Sequence, residues 1–418
     1  MSKFAKNLSW IFAGNIVHAI LQFLLNILIA RVLTTADYGL INYSASLIAF
    51  FTSLGTLGFN GIITKKISDE EDKAEEYLGS AIIYRLIFSI FAIISLQIIV
   101  RIFDPSNTKL HTVVFFQSIT IFFGAFDLIV YYFRYTAQAK VVEILRLAAF
   151  FLSAFWRLIV LATYKSITLY VLGTSIESVF FAVFLVFAFV KIKKTRFKFR
   201  NSTAISLMRL SYPFISSAIM ITIYGQVDKI MLNNMINSTA VAYFSVSLTL
   251  AGAISIIPSA LIEGFRPDIM ASRNRDIKKY HKRLKQLYGM VFWICITYCL
   301  FITIFSKEIV LILYGDKYLP AVSSMSLIVW YTSFSYFGAI NNMYMVAENK
   351  VKWVQVITLV GAILNVLLNF ILIPYYGIVG AATASLITQI VANFILLALI
   401  PALRENFILI VKGITFQR

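Results

Sequence analysis

Long apolar stretches recur along the whole chain and constrain its fold more than any other feature. Each runs for about 20 residues or more, enough at 1.5 Å rise per residue for one α-helix to cross roughly 30 Å of hydrocarbon. A β-barrel would require sustained alternation of apolar and polar residues, and the sequence shows none. Composition agrees, since 60% of the 418 residues are hydrophobic and 13% are charged. The sequence therefore predicts an all-α protein that crosses a membrane many times.

The apolar periodicity predicts about twelve transmembrane helices. The first is expected to remain in the protein, because it is too long for a signal peptide and lacks a small-residue cleavage site. The predicted spans are 9–32, 39–64, 78–100, 112–135, 142–164, 167–190, 207–233, 239–265, 287–313, 321–346, 351–373 and 377–400.

Basic residues are distributed unequally between alternate connections. Roughly 28 fall in one set and about five in the other, and lysine and arginine are retained on the cytoplasmic side of membranes. This asymmetry predicts that both termini are cytoplasmic. It also explains the net charge of +18 as topology rather than as a nucleic-acid interface. The poorer set consists of Arg31, Arg101, Lys109, Lys165 and Lys317.

The largest polar break, 191–206, follows the sixth predicted span and divides the chain into two lobes. We expect a lobe of six helices at 1–200 and a second at 201–418, ending in a short cytoplasmic tail. Six spans return the chain to its starting side, so the lobes would be parallel repeats. Glycines interrupt the second span, and Pro258 and Gly264 interrupt the eighth. Such paired interruptions indicate bends around a transport path, with ordinary small-residue packing of helices as the alternative.

Ionisable residues lie within several predicted spans, where lipid contact would cost about 3 kcal/mol each. Arg85, Arg157 and Glu177 lie in the third, fifth and sixth spans. Residues spaced three or four apart share a helical face, and in the fourth span Asp127, Tyr131, Arg134 and Gln138 follow this spacing. We interpret these stripes as the lining of a common water-filled cavity. Structural ion pairs are the alternative.

These positions give two sets of candidate site residues. The candidate substrate-binding residues are Arg85, Arg157, Arg134, Asp127 and Tyr131, and the candidates for ion coupling are Glu177 and Asp228. Arg134 and Arg146 could instead be topology charges that reach the interface. Asp228 could instead be interfacial, and His18 is interpreted as a packing residue.

Motifs for catalysis or metal binding are missing from the sequence. There is no phosphate-binding loop, HExxH, nucleophile elbow or spaced Cys/His set. Cys295 and Cys299 lie one helical turn apart and are interpreted as small apolar residues. We therefore expect no enzyme activity, no cofactor and no metal site.

Four segments resemble a known family. They are ARVLTTADYGLINYSASLIAFFTSLGTLGFNGIITKKIS at 30–68, YGQVDKIMLNNMINSTAVAYFSVSLTL at 224–250, LYGDKYLPA at 313–321 and NFILIPYYGIVGAATASLIT at 369–388. They are similar, in the right order, to the polysaccharide-transporter branch of the multidrug/oligosaccharidyl-lipid/polysaccharide exporter superfamily. Within that branch they resemble the Wzx-type O-antigen flippases.

The resemblance implies two six-helix lobes around a central cavity that opens alternately to each side. It implies a bacterial cytoplasmic membrane location and a substrate of undecaprenyl pyrophosphate carrying an oligosaccharide repeat unit. Coupling to a proton or sodium gradient is implied as well. Membrane lipids, a polysaccharide polymerase and chain-length machinery would then be partners. Cation-coupled export of a small molecule and a membrane enzyme are the alternatives. The first would favour an acidic cavity, whereas this one is richer in arginine.

Overall fold

The computed structural model describes residues 3–193 and 197–415. Lys194, Arg196 and Arg418, which belong to the predicted cytoplasmic charges, lie outside the described residues. Within the described ranges the chain forms helices and no strand. The prediction of an all-α, multi-pass membrane protein is confirmed.

Eight α-helices precede the polar break. They are α1 (Lys3–Val32), α2 (Thr35–Gly55), α3 (Phe59–Asp69), α4 (Ala74–Phe103), α5 (Thr108–Phe123), α6 (Leu128–Tyr135), α7 (Ala139–Thr163) and α8 (Ile167–Lys193).

Eight more follow the break. They are α9 (Asn201–Met235), α10 (Ser238–Ala251), α11 (Ile256–Arg273), α12 (Ile277–Tyr314), α13 (Val322–Ala347), α14 (Val351–Ile390), α15 (Leu396–Leu399) and α16 (Arg404–Ile414). Helices occupy all twelve predicted spans. In the described part of the chain, eight helical stretches are long and apolar enough to cross a membrane by themselves.

Within the described residues, four predicted spans are interrupted by short non-α segments, and in the twelfth a π-helix at Val391–Ile395 separates α14 from α15. Leu57 and Gly58 both have positive φ between α2 and α3. Turns of 3₁₀-helix separate α5 from α6 at Gly124–Asp127 and α10 from α11 at Gly252–Ser255. The second span, in the first half of the chain, and the eighth span, in the second half, are thus both interrupted, as the sequence predicted. The break in the eighth lies before Pro258 rather than at it.

The long helix α14 is a hairpin rather than one rod. Residues 20 positions apart in a straight helix would be about 30 Å apart, yet Asn365 donates a 3.3 Å hydrogen bond to Ser385. The reversal occurs at Gly377, whose φ of 56° and ψ of −130° suit glycine. The eleventh and twelfth predicted spans are therefore separate antiparallel helices.

The chain divides into two compact units, Met1–Gln226 and Val227–Arg418. The predicted boundary after residue 200 falls at the start of α9, and the division between the units falls within that helix. In the first unit, buried side chains of α3, α4 and α6 form an apolar core that includes Phe59, Leu78 and Phe133. In the second, α12, α13 and α16 do the same around Tyr288 and Tyr344.

Candidate functional site

A cavity of about 570 Å³ lies within the first unit and is lined by polar side chains from α1 to α8. Helix α7 packs against α1 and α8, while α5 packs against α2, α4 and α8, which brings these helices around one space. The cavity contains all six candidate residues predicted for this unit. They are Arg85, Asp127, Tyr131, Arg134, Arg157 and Glu177.

Arg157 and Glu177 form an ion pair between α7 and α8. Arg157 Nη2 donates a 2.7 Å hydrogen bond to Glu177 Oε2, and the guanidinium lies over the Tyr170 ring at 5.7 Å. Ser153 also reaches Glu177, at 3.3 Å. Arg157 is 2% exposed, so its charge depends on this carboxylate for compensation. Arg157 and Glu177 thus form an ion pair, and their roles in substrate binding and ion coupling remain predictions.

Arg85 has a different environment. Its side chain on α4 is 4% exposed, and its Nη1 atom is buried without a hydrogen-bond partner among the residues that the structure describes. Asp127 and Tyr131 interact with it electrostatically, but no carboxylate of the described residues lies within ion-pair distance. A buried, unpaired guanidinium is costly, so a site with this feature suits an anionic ligand.

The 3₁₀ turn before α6 places Asp127 next to the helix that carries Tyr131 and Arg134, and all three line the cavity. The predicted stripe does not extend to Gln138, because α6 ends at Tyr135 and the chain turns through Ala137 with φ of 55°. Arg134 Nε is buried without a hydrogen-bond partner in the described part of the chain. Asp127 remains exposed to the cavity.

Arg146 also lines this cavity but has partners. Its Nη1 donates to Glu143 at 3.0 Å and to Asn15 at 3.3 Å, and its guanidinium lies over the Phe181 ring. Glu143 is 1% exposed. Four arginines and two carboxylates thus line the cavity, and two of the arginines, Arg85 and Arg134, make no ion pair with a described residue.

Sequence reasoning missed part of the lining. His18 was interpreted as a packing residue; its ring packs edge-on against Phe150, but its Nε2 also lies 3.4 Å from Glu177 Oε1. His18 and Gln22 lie four residues apart on α1 and both face the cavity. Thr52, Thr56 and Asn60 repeat the same spacing across the break between α2 and α3. This i, i+4 spacing of polar residues is visible in the sequence and could have identified them.

Asp228 lies in the second unit, in a cluster of its own. The carboxylate is 6% exposed and accepts hydrogen bonds from Asn369 at 2.5 Å and Ser385 at 2.6 Å. Asn365 bonds to both of these residues. Asp228 is therefore buried within the protein and hydrogen-bonded. The hairpin of α14 creates this cluster, because it brings its two halves together on one carboxylate.

The sequence of this chain belongs to a known family. Residues 4–263 match the family model described as "Polysaccharide biosynthesis protein". Because the match spans more than half of the chain, this chain is a member of the polysaccharide biosynthesis protein family. The resemblance to the polysaccharide-transporter branch, inferred from four segments, is confirmed.

Individual proteins support the same relationship. The chain is 20% identical over 413 residues to the probable flippase AglR of Haloferax volcanii, covering 96% of this chain and 84% of that protein. It is 22% identical over 400 residues to the capsular polysaccharide biosynthesis protein CapF of Staphylococcus aureus, covering 93% of this chain and 96% of that protein. The solved structure of the lipid II flippase MurJ in an inward closed conformation is similar to this structure, with a TM-score of 0.72 at 15% identity. The match covers 97% of this chain and 91% of that one. This last likeness establishes a shared fold.

Proposed function

We propose that this protein is a flippase for undecaprenyl-pyrophosphate-linked oligosaccharides. It would move repeat units from the cytoplasmic to the outer leaflet of a bacterial cytoplasmic membrane, for O-antigen or another surface polysaccharide. Both termini would be cytoplasmic, transport would proceed by alternating access, and a polymerase with its chain-length machinery would take up the product. Membership of the family and the names of its relatives support this class of substrate.

The observation that carries the proposal is the pair of arginines in the first unit's cavity that have no ion-pair partner among the described residues. Arg85 is buried, and Arg134 has a buried Nε atom without a partner. A pyrophosphate offers charge and acceptor oxygens, and the planar guanidinium can bond two of these oxygens at once. The neighbouring polar groups Thr52, Asn60 and Gln22 supply hydrogen bonds of the kind that sugar hydroxyls use. Asp127 and Tyr131 would contact the substrate from the same face.

Arg157 has a second role in this proposal. Its pair with Glu177 neutralises one positive charge of the cavity and places the carboxylate next to His18. Protonation of the Glu177 carboxylate or of the His18 ring would change the cavity charge, so Glu177 is a candidate for coupling to a proton gradient. Asp228 is the corresponding candidate in the second unit, where its amide and hydroxyl partners provide oxygen atoms suited to a proton or a sodium ion.

The test is transport in cells that lack their own flippase for the same glycan. The wild-type chain should restore surface polysaccharide and remove lipid-linked repeat units from the cytoplasmic leaflet. Arg85→Ala should reduce export by roughly tenfold to a hundredfold at matched membrane abundance, since a bond to a charged group contributes roughly 1.5–3 kcal/mol. Arg85→Lys should restore part of the lost export, because lysine keeps the positive charge but lacks the planar guanidinium that bonds two oxygens at once.

Arg101→Ala is the matched control, because Arg101 lies on the same helix and is exposed at its end. It should export normally. If the wild-type chain leaves the lipid-linked substrate in the cytoplasmic leaflet yet expels small organic cations from proteoliposomes, the flippase proposal is wrong and the chain is a small-molecule exporter of the same fold.

A further inference from the structure

A second large cavity lies in the other unit, far along the sequence from the residues discussed so far. It is a groove of about 1110 Å³ between α11, α12 and α16. Its wall is basic toward the start of α12, at Lys282 and Lys285, and apolar further along, at Met290 and Trp293. Among the described residues that line it, none is acidic.

The floor of the groove is a close crossing of α12 and α16. A Cβ atom added to Gly289 would lie 2.6 Å from the carbonyl oxygen of Gly413, and one added to Gly413 would lie 2.6 Å from that of Lys285. The two backbones are therefore in direct contact. Helix α16 buries Leu409 and Ile410 against its neighbours and leaves Lys412 on the groove side. The short final helix thus completes the wall of the groove.

Two cations at the basic end have no neutralising partner among the described residues. Lys282 and Lys412 are exposed and make no hydrogen bond or ion pair with a described residue. Arg283, in contrast, donates to Asp268 at 2.6 Å and to Gln286 at 3.1 Å, so its position is fixed. An anionic group at this end would gain several positive partners without displacing an internal carboxylate.

The other end is apolar and open to the surface. Trp293 is 46% exposed and Met290 is 37% exposed. From Lys282 to Trp293 the helix rises by about 16 Å, close to the thickness of one hydrocarbon leaflet. The apolar wall below the basic end is therefore long enough to run alongside an acyl chain.

We infer that this groove binds an anionic diacyl phospholipid of the surrounding leaflet. The phosphate would lie among Lys282, Lys285 and Lys412, with the acyl chains along Met290 and Trp293. Basic pockets between transmembrane helices suit anionic headgroups. A zwitterionic lipid would bring no net charge to these lysines, and a soluble anion would leave the apolar wall uncovered. The inference depends on the chain spanning a membrane and does not depend on the flippase proposal.

The experiment is lipid retention by the full-length protein in detergent, measured by native mass spectrometry with phosphatidylglycerol or phosphatidylcholine. The wild-type protein should bind phosphatidylglycerol at least roughly tenfold more tightly. The triple variant Lys282→Gln/Lys285→Gln/Lys412→Gln should lose that preference and leave phosphatidylcholine binding unchanged. A control with Arg275, Lys278 and Lys352 changed to glutamine removes the same charge from exposed positions outside the groove and should behave as wild type.

A second measurement does not depend on the variants. A phosphatidylglycerol with a photoreactive acyl chain should label the peptide that contains Met290 and Trp293 in the wild-type protein. Equal binding of both phospholipids would overturn the inference, as would labelling elsewhere. Displacement of phosphatidylglycerol by glycerol 3-phosphate alone would show a soluble-anion site instead. Displacement by undecaprenyl phosphate at equal stoichiometry would assign the groove to the carrier of the substrate.

Discussion

Arg157 and Glu177 are joined by a 2.7 Å hydrogen bond across α7 and α8, and the same carboxylate lies within 3.4 Å of His18 on α1. Three helices thus meet at one carboxylate on the wall of the polar cavity. The arginine is almost completely buried, whereas Glu177 keeps part of its surface toward the cavity. A change in the charge of Glu177 therefore acts on the cavity and on the packing of these helices together.

Glu177→Gln should weaken transport while the protein still inserts. The variant leaves Arg157 without its compensating charge, which should cost about 1–3 kcal/mol of stability. Surface polysaccharide and thermal unfolding in detergent measure the two effects separately. Glu308→Gln, an exposed carboxylate on α12, is the control and should change neither. Wild-type export by Glu177→Gln at normal abundance, across the pH range, would exclude Glu177 from coupling.

Gly173→Ala should reproduce the loss of Arg157 without removing a charge. The added Cβ would lie 2.5 Å from Arg157 Cγ, so the arginine would have to leave its position beside Glu177. Alanine ordinarily stabilises a helix by about 1 kcal/mol relative to glycine. Gly225→Ala on α9 meets no described atom within 4 Å and should therefore be neutral or stabilising. Normal export by Gly173→Ala would mean that the position of the Arg157 side chain is not critical.

The length of the apolar stretches predicted the helices, and the cost of charge within them predicted five of the six candidate residues that line the cavity. Charged residues are so costly in a lipid-facing helix that Arg85, Asp127 and Glu177 had to face an interior. The sequence could not predict which charges would pair, because the contact between Arg157 and Glu177 depends on how α7 packs against α8. The isolation of Arg85 depends in the same way on its neighbours in space.

The environment of Asp228 shows a second limit of local patterns. Its position near a predicted span end left an interfacial location open, and its burial arises from the hairpin at Gly377, a long-range feature. The i, i+4 pair Asn365 and Asn369 was nevertheless readable within an apolar span. Buried amides require partners, so this pair could have predicted a polar cluster, though not that Asp228 belongs to it.

Asp228→Asn should uncouple transport from the ion gradient. The carboxylate accepts from Asn369 and Ser385, and an amide in its place turns a donor toward one of them and removes the charge. Transport into proteoliposomes with an imposed proton or sodium gradient is the measurement. Ser385→Ala removes one hydrogen bond and keeps the charge, so it should have a smaller effect. Full stimulation of Asp228→Asn by the gradient would remove Asp228 from the coupling mechanism.

Single cysteines should establish the orientation of the chain. We expect Ser202→Cys, exposed at the start of α9, to be cytoplasmic and Ser238→Cys, at the start of α10, to face outward. Both native cysteines are buried and can be replaced first by alanine. An impermeant thiol reagent applied to intact cells should then label only Ser238→Cys. Labelling of Ser202→Cys alone would reverse the predicted topology.

The last prediction concerns pH and the link between α11 and α13. Arg273 donates two hydrogen bonds to Glu348, at 2.5 Å and 2.9 Å, and Tyr280 adjoins the pair. Burial raises the pKa of Glu348, but the bonds and charge of Arg273 lower it by more, so the net pKa lies below its ordinary value. The native state then binds fewer protons than the unfolded state. The pair therefore stabilises the protein above the ordinary carboxyl pKa of about 4.3, and this stability is lost as pH falls through the lowered pKa.

Glu348→Gln should accordingly lower the free energy of unfolding by about 1–2 kcal/mol near neutral pH. The difference in melting temperature between the variant and the wild type should shrink as pH falls below about 4, because the wild-type carboxylate then becomes protonated. Thermal unfolding in detergent over this pH range is the measurement. Asp72 is an exposed carboxylate without an ion pair to any described residue, so Asp72→Asn should have the same melting temperature as the wild type over this pH range. If the difference in melting temperature between Glu348→Gln and the wild type stays constant or widens in acid, the ion pair with Arg273 does not stabilise the native state.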